Sequence, residues 1–197
     1  MKKNYFVGID VSKQTLDVAF IEVHNAERSQ PSWKVFDNNE KGLSSMKTWL
    51  QNNQVGLDGN TLFVIENTGL YHRRLMDFCN KHQLQLCIEN GAQVKWSLGI
   101  ARGKSDKVDS RRLATYALRF ADRLKPATAL QEGIQAIKDL ITLRNRHIVQ
   151  LSSLRSHLKE LKATTDGKAV KDLQKLHDPL MKAMKAAIQK IEAAIIK

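Results

Sequence analysis

The chain has 197 residues, with 32 Lys and Arg against 20 Asp and Glu and a formal net charge of +12. That length suits one domain with a core plus an appendage and is short for two large domains. The charge speaks for a polyanionic partner and bears on solubility rather than on fold. No apolar run approaches the roughly 18 residues of a membrane span. The start "MKKNYFVGID" lacks the apolar core of a signal peptide. Cys79 and Cys87 form neither a CxxC nor a disulfide framework, so the expectation is a cytoplasmic protein with no membrane partner. Residues 1–100 carry 11 Lys and Arg and 10 Asp and Glu, whereas residues 101–197 carry 21 and 10, and ten of the twelve aromatic residues precede Ala101. This asymmetry predicts a packed mixed domain followed by a basic helical region, with the boundary at residues 125/126.

"NYFVGIDV" alternates at strand spacing, with Tyr5, Val7, Ile9 and Val11 on one side and Phe6, Gly8 and Asp10 on the other. "TLDVAFIEV" repeats the pattern, and "WKVFDN" follows a polar connection "HNAERSQPS", which predicts an antiparallel meander of three strands. Leu43, Met46, Trp49 and Leu50 recur at helical spacing in "NEKGLSSMKTWLQNN". "TLFVIEN" has the continuous apolar core of a strand buried on both faces. A helix around "LYHRRLMDFCNKHQ", a strand "LQLCIEN" and a helix around "AQVKWSLGIA" complete a β-β-β-α-β-α-β-α order. The predicted fold class is therefore α/β, a mixed five-stranded sheet flanked by helices.

Beyond Ser105 the pattern is helical. A first helix is predicted from Asp106 to about Leu124, stopped by Pro126, with "TALQ" at Thr128 to Gln131 as a capping box for the next. From Leu130 to Lys162, Ile134, Ile137, Ile141, Ile148, Leu151 and Leu158 keep a coiled-coil register that Arg144 and Arg155 interrupt. "ATTDGK" reads as a turn, and Val170, Leu173, Leu180, Met184 and Ile191 form a second stripe, broken at Asp178-Pro179. The result is a helical hairpin about 50 Å long. So little core of its own predicts pairing with a second copy or with further sequence. The apolar, uncapped end "IEAAIIK" reads as a cut within a longer protein.

Four carboxylates stand out. Asp10 lies mid-strand, where Asp is disfavoured, and Gly8 on the same face leaves room beside it. Glu66 ends the apolar run "LFVI" and precedes "NTG", so its carboxylate would emerge where the strand leaves the sheet. Asp106 and Asp109 share a helix face at i, i+3. Each has an ordinary alternative as a strand-end or first-turn surface acid. If the first and fourth strands are neighbours and this helix crosses their ends, however, Asp10, Glu66, Asp106 and Asp109 converge. Such a group needs countercharge. Hard oxygen donors without clustered His or Cys favour Mg²⁺ or Mn²⁺ over zinc, and two ions would clamp a scissile phosphate. Arg102, Lys104, Lys107, Arg111 and Arg112 surround the pair, either as a solvated helix face or, as we read them, holding a nucleic-acid backbone. His72 and Arg73 read as a surface pair near Glu66. There is no P-loop or GxGxxG to cradle a nucleotide, which argues against an actin- or sugar-kinase-type ATPase.

"VGIDVSKQTLDVAF", "IENTGLY" and "GKSDKVDSRRLA" together resemble the three signature blocks of the DEDD transposases of bacterial insertion sequences, relatives of RuvC-like resolvases. The resemblance implies an RNase H-like (RuvC-like) fold with Asp10, Glu66, Asp106 and Asp109 as the metal-binding tetrad. It implies DNA recombination directed by a structured bridge RNA, in a homodimer or tetramer joined through the coiled coil, in a bacterial cytoplasm. It also implies a C-terminal domain with a nucleophilic serine, for which residues 121–197 hold no matching block. A stand-alone Holliday-junction resolvase and a non-catalytic nucleic-acid-binding oligomerisation module are the alternatives.

Overall fold

The computed structural model describes residues 3–25, 27–98, 106–128, 132–165 and 167–196, with the side chains of Asp106, Lys107 and Glu132 excepted. The chain divides into two compact units, residues 1–129 and 130–197. In the first, β1 (Tyr5–Val11), β2 (Thr15–His24), β3 (Glu27–Arg28) and β4 (Ser32–Asp37) precede α1 (Glu40–Asn52), β5 (Thr61–Glu66), α2 (Arg73–Lys81), β6 (Gln85–Glu89), α3 (Gly91–Leu98) and α4 (Asp106–Arg119).

β1 pairs antiparallel with β2 and parallel with β5, and β6 continues the sheet parallel to β5. The expected mixed sheet is therefore present, but with six strands rather than five. The addition is β3: Glu27 and Arg28, inside what reads as a polar connection, pair with His24 and Val23. β4 takes up the same edge of β2 further along, from Thr15↔Asp37 to Phe20↔Ser32. Two short strands thus share one edge, and the sheet stays five strands wide.

Strand alternation sorts the core into two layers. Val7, Ile9, Val11, Leu16, Val18, Phe63 and Ile65 pack with Leu43, Met46 and Leu50 of α1 and Leu75 and Cys79 of α2. Phe6, Leu62, Val64 and Cys87 pack on the opposite face with Val94 of α3 and Leu113, Tyr116 and Ala117 of α4. β5 is buried on both faces, as its unbroken apolar run requires. Asn39 caps α1, its side chain accepting from the Gly42 N–H at 2.9 Å. Trp49 places its ring against Phe20 and Phe36, with centroids at 5.3 and 5.5 Å.

α4 ends at Arg119, short of the expected Leu124. The N–H groups of Arg123 and Leu124 both turn back to the Phe120 carbonyl, at 2.9 and 3.1 Å. The chain beyond Pro126 then meets the free edge of β6, where the Ala127 N–H donates to Leu86 O at 2.7 Å. The predicted capping box at Thr128 to Gln131 runs beyond the described residues.

In the second unit, α5 (Glu132–Thr164) and α6 (Gly167–Ile196) are two long helices. The expected turn "ATTDGK" is shorter than its composition suggests, because Ala163 and Thr164 still belong to α5. α6 runs through Pro179 rather than breaking there; one missing backbone bond is outweighed where a long helix packs along a neighbour. Among the described residues of this unit, Leu151, Leu158, Val170 and Ile191 are the buried apolar ones. Arg144, which interrupts the stripe, reaches across to Glu192 of α6, with Nε and a terminal guanidinium nitrogen both 2.7 Å from Oε1. No helix among the described residues is long and apolar enough to cross a membrane.

Candidate active site

The site is built on the parallel pair β1 and β5. Their register runs from Tyr5↔Thr61 to Ile9↔Ile65, so Asp10 and Glu66 follow the last matched pair on adjacent strands. Parity puts both on the face of Phe6 and Val64, which is the α3/α4 face. Both side chains are half-buried.

Gly8 explains how α4 reaches that face. A Cβ at Gly8 would lie 2.2 Å from the Ala114 nitrogen and 2.3 Å from the Ser110 oxygen. The room beside Asp10 that the sequence suggested is filled by the backbone of α4 itself. Asp109 precedes Ser110 and is half-buried; it sits one residue from this point of closest approach. Asp106 begins the same helix, but its side chain lies outside the described residues. Among the described residues, no group of three or more Asp, Glu, His or Cys is gathered closely enough to hold a metal ion. The structure thus places Asp10 and Glu66 side by side and presses the helix of Asp109 onto β1. Carboxylate donors with neither His nor Cys among them suit a hard divalent cation such as Mg²⁺ or Mn²⁺.

Two further acids share this face, and sequence reading passed over both. Asp17 is the direct antiparallel partner of Asp10 and is buried. Glu89 is the parallel partner of Glu66 and accepts a 3.3 Å hydrogen bond from the Tyr116 hydroxyl of α4. Burial, and secondarily the charge of Glu89, push the Tyr116 phenol above its usual range. The Glu66 carboxylate lies against Gly91 at the start of α3, where a Cβ would come within 2.6 Å of Oε2. The signal for Asp17 was its strand parity with Asp10, which a hairpin register would have exposed.

Asn38 ties together the two segments that leave β1 and β5. Its Nδ2 donates to Ser12 O and to Tyr71 O, each at 2.9 Å. Its carbonyl accepts from Arg74 at 3.0 Å, and its N–H donates to Gln14 O at 2.8 Å. His72 corrects the expectation of a surface residue: it is only 8% exposed, and burial, followed by the neighbouring Arg73, lowers its pKa.

Of the five basic residues singled out, Arg102, Lys104 and the side chain of Lys107 lie outside the described residues. Arg111 and Arg112 are half-buried on α4. Arg111 donates to the Pro31 carbonyl at 3.4 Å, so part of its role is to hold α4 to the approach of β4. Cys79 and Cys87 are buried on opposite sides of the sheet, and burial pushes each thiol up to about 12, which makes both poor nucleophiles.

Antiparallel β2 and β1 leading into parallel β5 and β6, with helices on both faces, is the RNase H-like arrangement. A family model described as "Transposase", that of the DEDD transposases, matches residues 7–165. The chain belongs to the DEDD transposase family. It is also 35% identical over 121 residues to pilin gene-inverting proteins of Moraxella bovis and Moraxella lacunata. That match covers 59% of this chain and 34% of each relative, so the chain spans about a third of the length of these curated relatives. Among solved structures, Thermus thermophilus RuvC in complex with a Holliday junction substrate aligns over 62% of this chain and 99% of its own, at 12% identity and a TM-score of 0.46.

Proposed function

We propose that this chain is the DNA-cutting part of a transposase, binding DNA and acting in metal-dependent cleavage and strand exchange. The observation that carries the reading is the placement of Asp10 and Glu66 on one face at the ends of adjacent parallel strands, with α4 seated on β1 at Gly8. Asp10, Glu66, Asp106 and Asp109 would hold Mg²⁺ or Mn²⁺. When bound there, such ions would supply activation of the attacking oxygen and stabilisation of the leaving oxygen of a phosphodiester. Arg102, Lys104, Lys107, Arg111 and Arg112 hold the DNA backbone so that one phosphate reaches the strand ends. Tyr116 and Asn38 keep α4 and the strand-end segments in register around the acids.

The family resemblance extends the proposal to a bridge RNA as guide, to a homodimer or tetramer formed through α5 and α6, and to a serine-bearing segment that completes strand exchange. Calorimetric titration of Mn²⁺ into the chain tests the core of it. Asp10→Asn and Glu66→Gln should each weaken binding at least tenfold and abolish DNA cleavage, while the far-ultraviolet circular dichroism stays unchanged. Undiminished Mn²⁺ affinity and cleavage in both folded variants would defeat the reading.

A further inference from the structure

Val108, Arg112, Thr115 and Arg119 recur along α4 at steps of four, three and four residues, which keeps them on one side of the helix. That side is opposite the buried one, formed by Ser110, Leu113, Ala114 and Ala117. Together with Arg111, and with Leu98 at the end of α3, they line an open cleft of about 270 Å³. Three guanidiniums line it and, among the described residues, no carboxylate does. A second cleft of the same unit, between α1 and α2, balances its own charge by setting Glu40 and Asp77 against Arg74 and Lys81. Within the α4 cleft, Arg111 is tethered to the Pro31 carbonyl, and Thr115 spends its hydroxyl proton on the Arg111 carbonyl at 2.9 Å. Arg119 is exposed and takes part in none of the ion pairs among the described residues. An uncompensated cationic cleft thus ends on a guanidinium that the fold does not use.

We propose that this outer side of α4 is a rail for the backbone of duplex DNA, with Arg119 as its far phosphate contact. The choice of DNA rests on the proposed cleavage at Asp10 and Glu66. Arg112 lies three residues beyond Asp109 and Arg119 seven further, so the rail starts beside the acids and extends about 15 Å along the helix axis from Asp109. A DNA strand advances about 3.4 Å per nucleotide, so a backbone laid along α4 meets Arg119 about four nucleotides from the phosphate at the acids. A guanidinium suits that contact because it stays charged and offers phosphate oxygens a planar fork of donors. Contacts of this kind fix where the duplex lies and carry no sequence information. The rail therefore positions a target that other parts of the assembly choose.

The test uses the 197-residue chain in EDTA, so that metal binding and cleavage play no part. Fluorescein-labelled DNA duplexes of two unrelated sequences, and an RNA duplex of the same length, are titrated by anisotropy over a series of salt concentrations. Arg119→Ala should weaken binding of both DNA duplexes alike and lower the salt slope by about 0.9, the loss of one phosphate contact. Arg119→Lys keeps the charge and should recover the slope. Lys81→Ala removes one exposed charge from α2, which packs on the opposite face of the sheet, and should leave the slope as it is. A slope that Arg119→Ala does not move, one that Lys81→Ala lowers equally, or a loss confined to the RNA duplex would overturn the assignment. Cleavage by the wild type with Mn²⁺ is scored separately. If the wild type cleaves while Arg119→Ala leaves the slope unmoved, the rail alone fails; if it does not cleave while the slope falls, the rail stands and the cleavage reading fails. Arg119 is exposed, so its replacement leaves the unit folded and each outcome readable.

Discussion

The two units spend their apolar residues differently. In residues 1–129 the sheet is covered on both faces, and side chains such as Val7, Ile9, Phe63, Met46 and Leu75 are fully buried. In residues 130–197 an equally regular stripe leaves Ile134, Ile137, Ile141 and Ile148 between 37% and 45% exposed. The first unit has a core on each face of its sheet, whereas two helices alone cover only one seam of each other. Apolar spacing therefore reports where a side chain could be buried, and the number of layers around it decides whether it is.

The largest break in this comparison should come from glycines. Gly8→Val puts a branched side chain where α4 backbone lies within 2.3 Å, and should cost more than about 3 kcal/mol or prevent folding. Gly133→Ala in α5, with nothing within 4 Å of the new carbon, should instead stabilise by about 0.4–1 kcal/mol. Thermal unfolding of the two variants checks both signs. Leucines sharpen the contrast at smaller scale. Leu75→Ala, in a fully covered layer, should cost about 2–5 kcal/mol, whereas Leu158→Ala should cost less because its surroundings can collapse or hydrate. Denaturant midpoints at matched protein concentration would measure the difference.

The smallest effect concerns pH, and belongs to the first unit. Burial lowers the pKa of His72 from its usual value in the folded state, so the unfolded chain takes up the proton first. His72 therefore adds stability above an unfolded pKa of about 6.5, and that stability is lost as pH falls through the lower folded value. His72→Gln should flatten the acid side of the stability profile below about pH 6.5, read by melting temperature across a pH series.

Much of the architecture was legible in local pattern. The alternation of "NYFVGIDV" marked β1, the unbroken apolar run of "TLFVIE" marked a strand buried on both faces, and the stripe of Leu43, Met46 and Leu50 marked α1. β3 was not legible, because two charged residues, Glu27 and Arg28, hold their place through backbone pairing alone. The end of α4 was not legible, because Pro126 sets only an outer limit, while the helix stops at the turn around Phe120. The burial of His72 was not legible, because a polar residue next to Arg73 reads as surface, whereas its place at the N-cap of α2 leaves it 8% exposed.

By itself the sequence determined which residues share a side of each element, since parity and helical period are local properties of the chain. It also marked Asp10 and Glu66 as acids out of place in apolar strands. Only the tertiary structure decided that β1 and β5 are neighbours in parallel, that Asp17 and Glu89 flank those acids, and that α4 sits directly on Gly8. Register between strands far apart in sequence is set by how two faces of a sheet are filled at once, and no single segment contains that information.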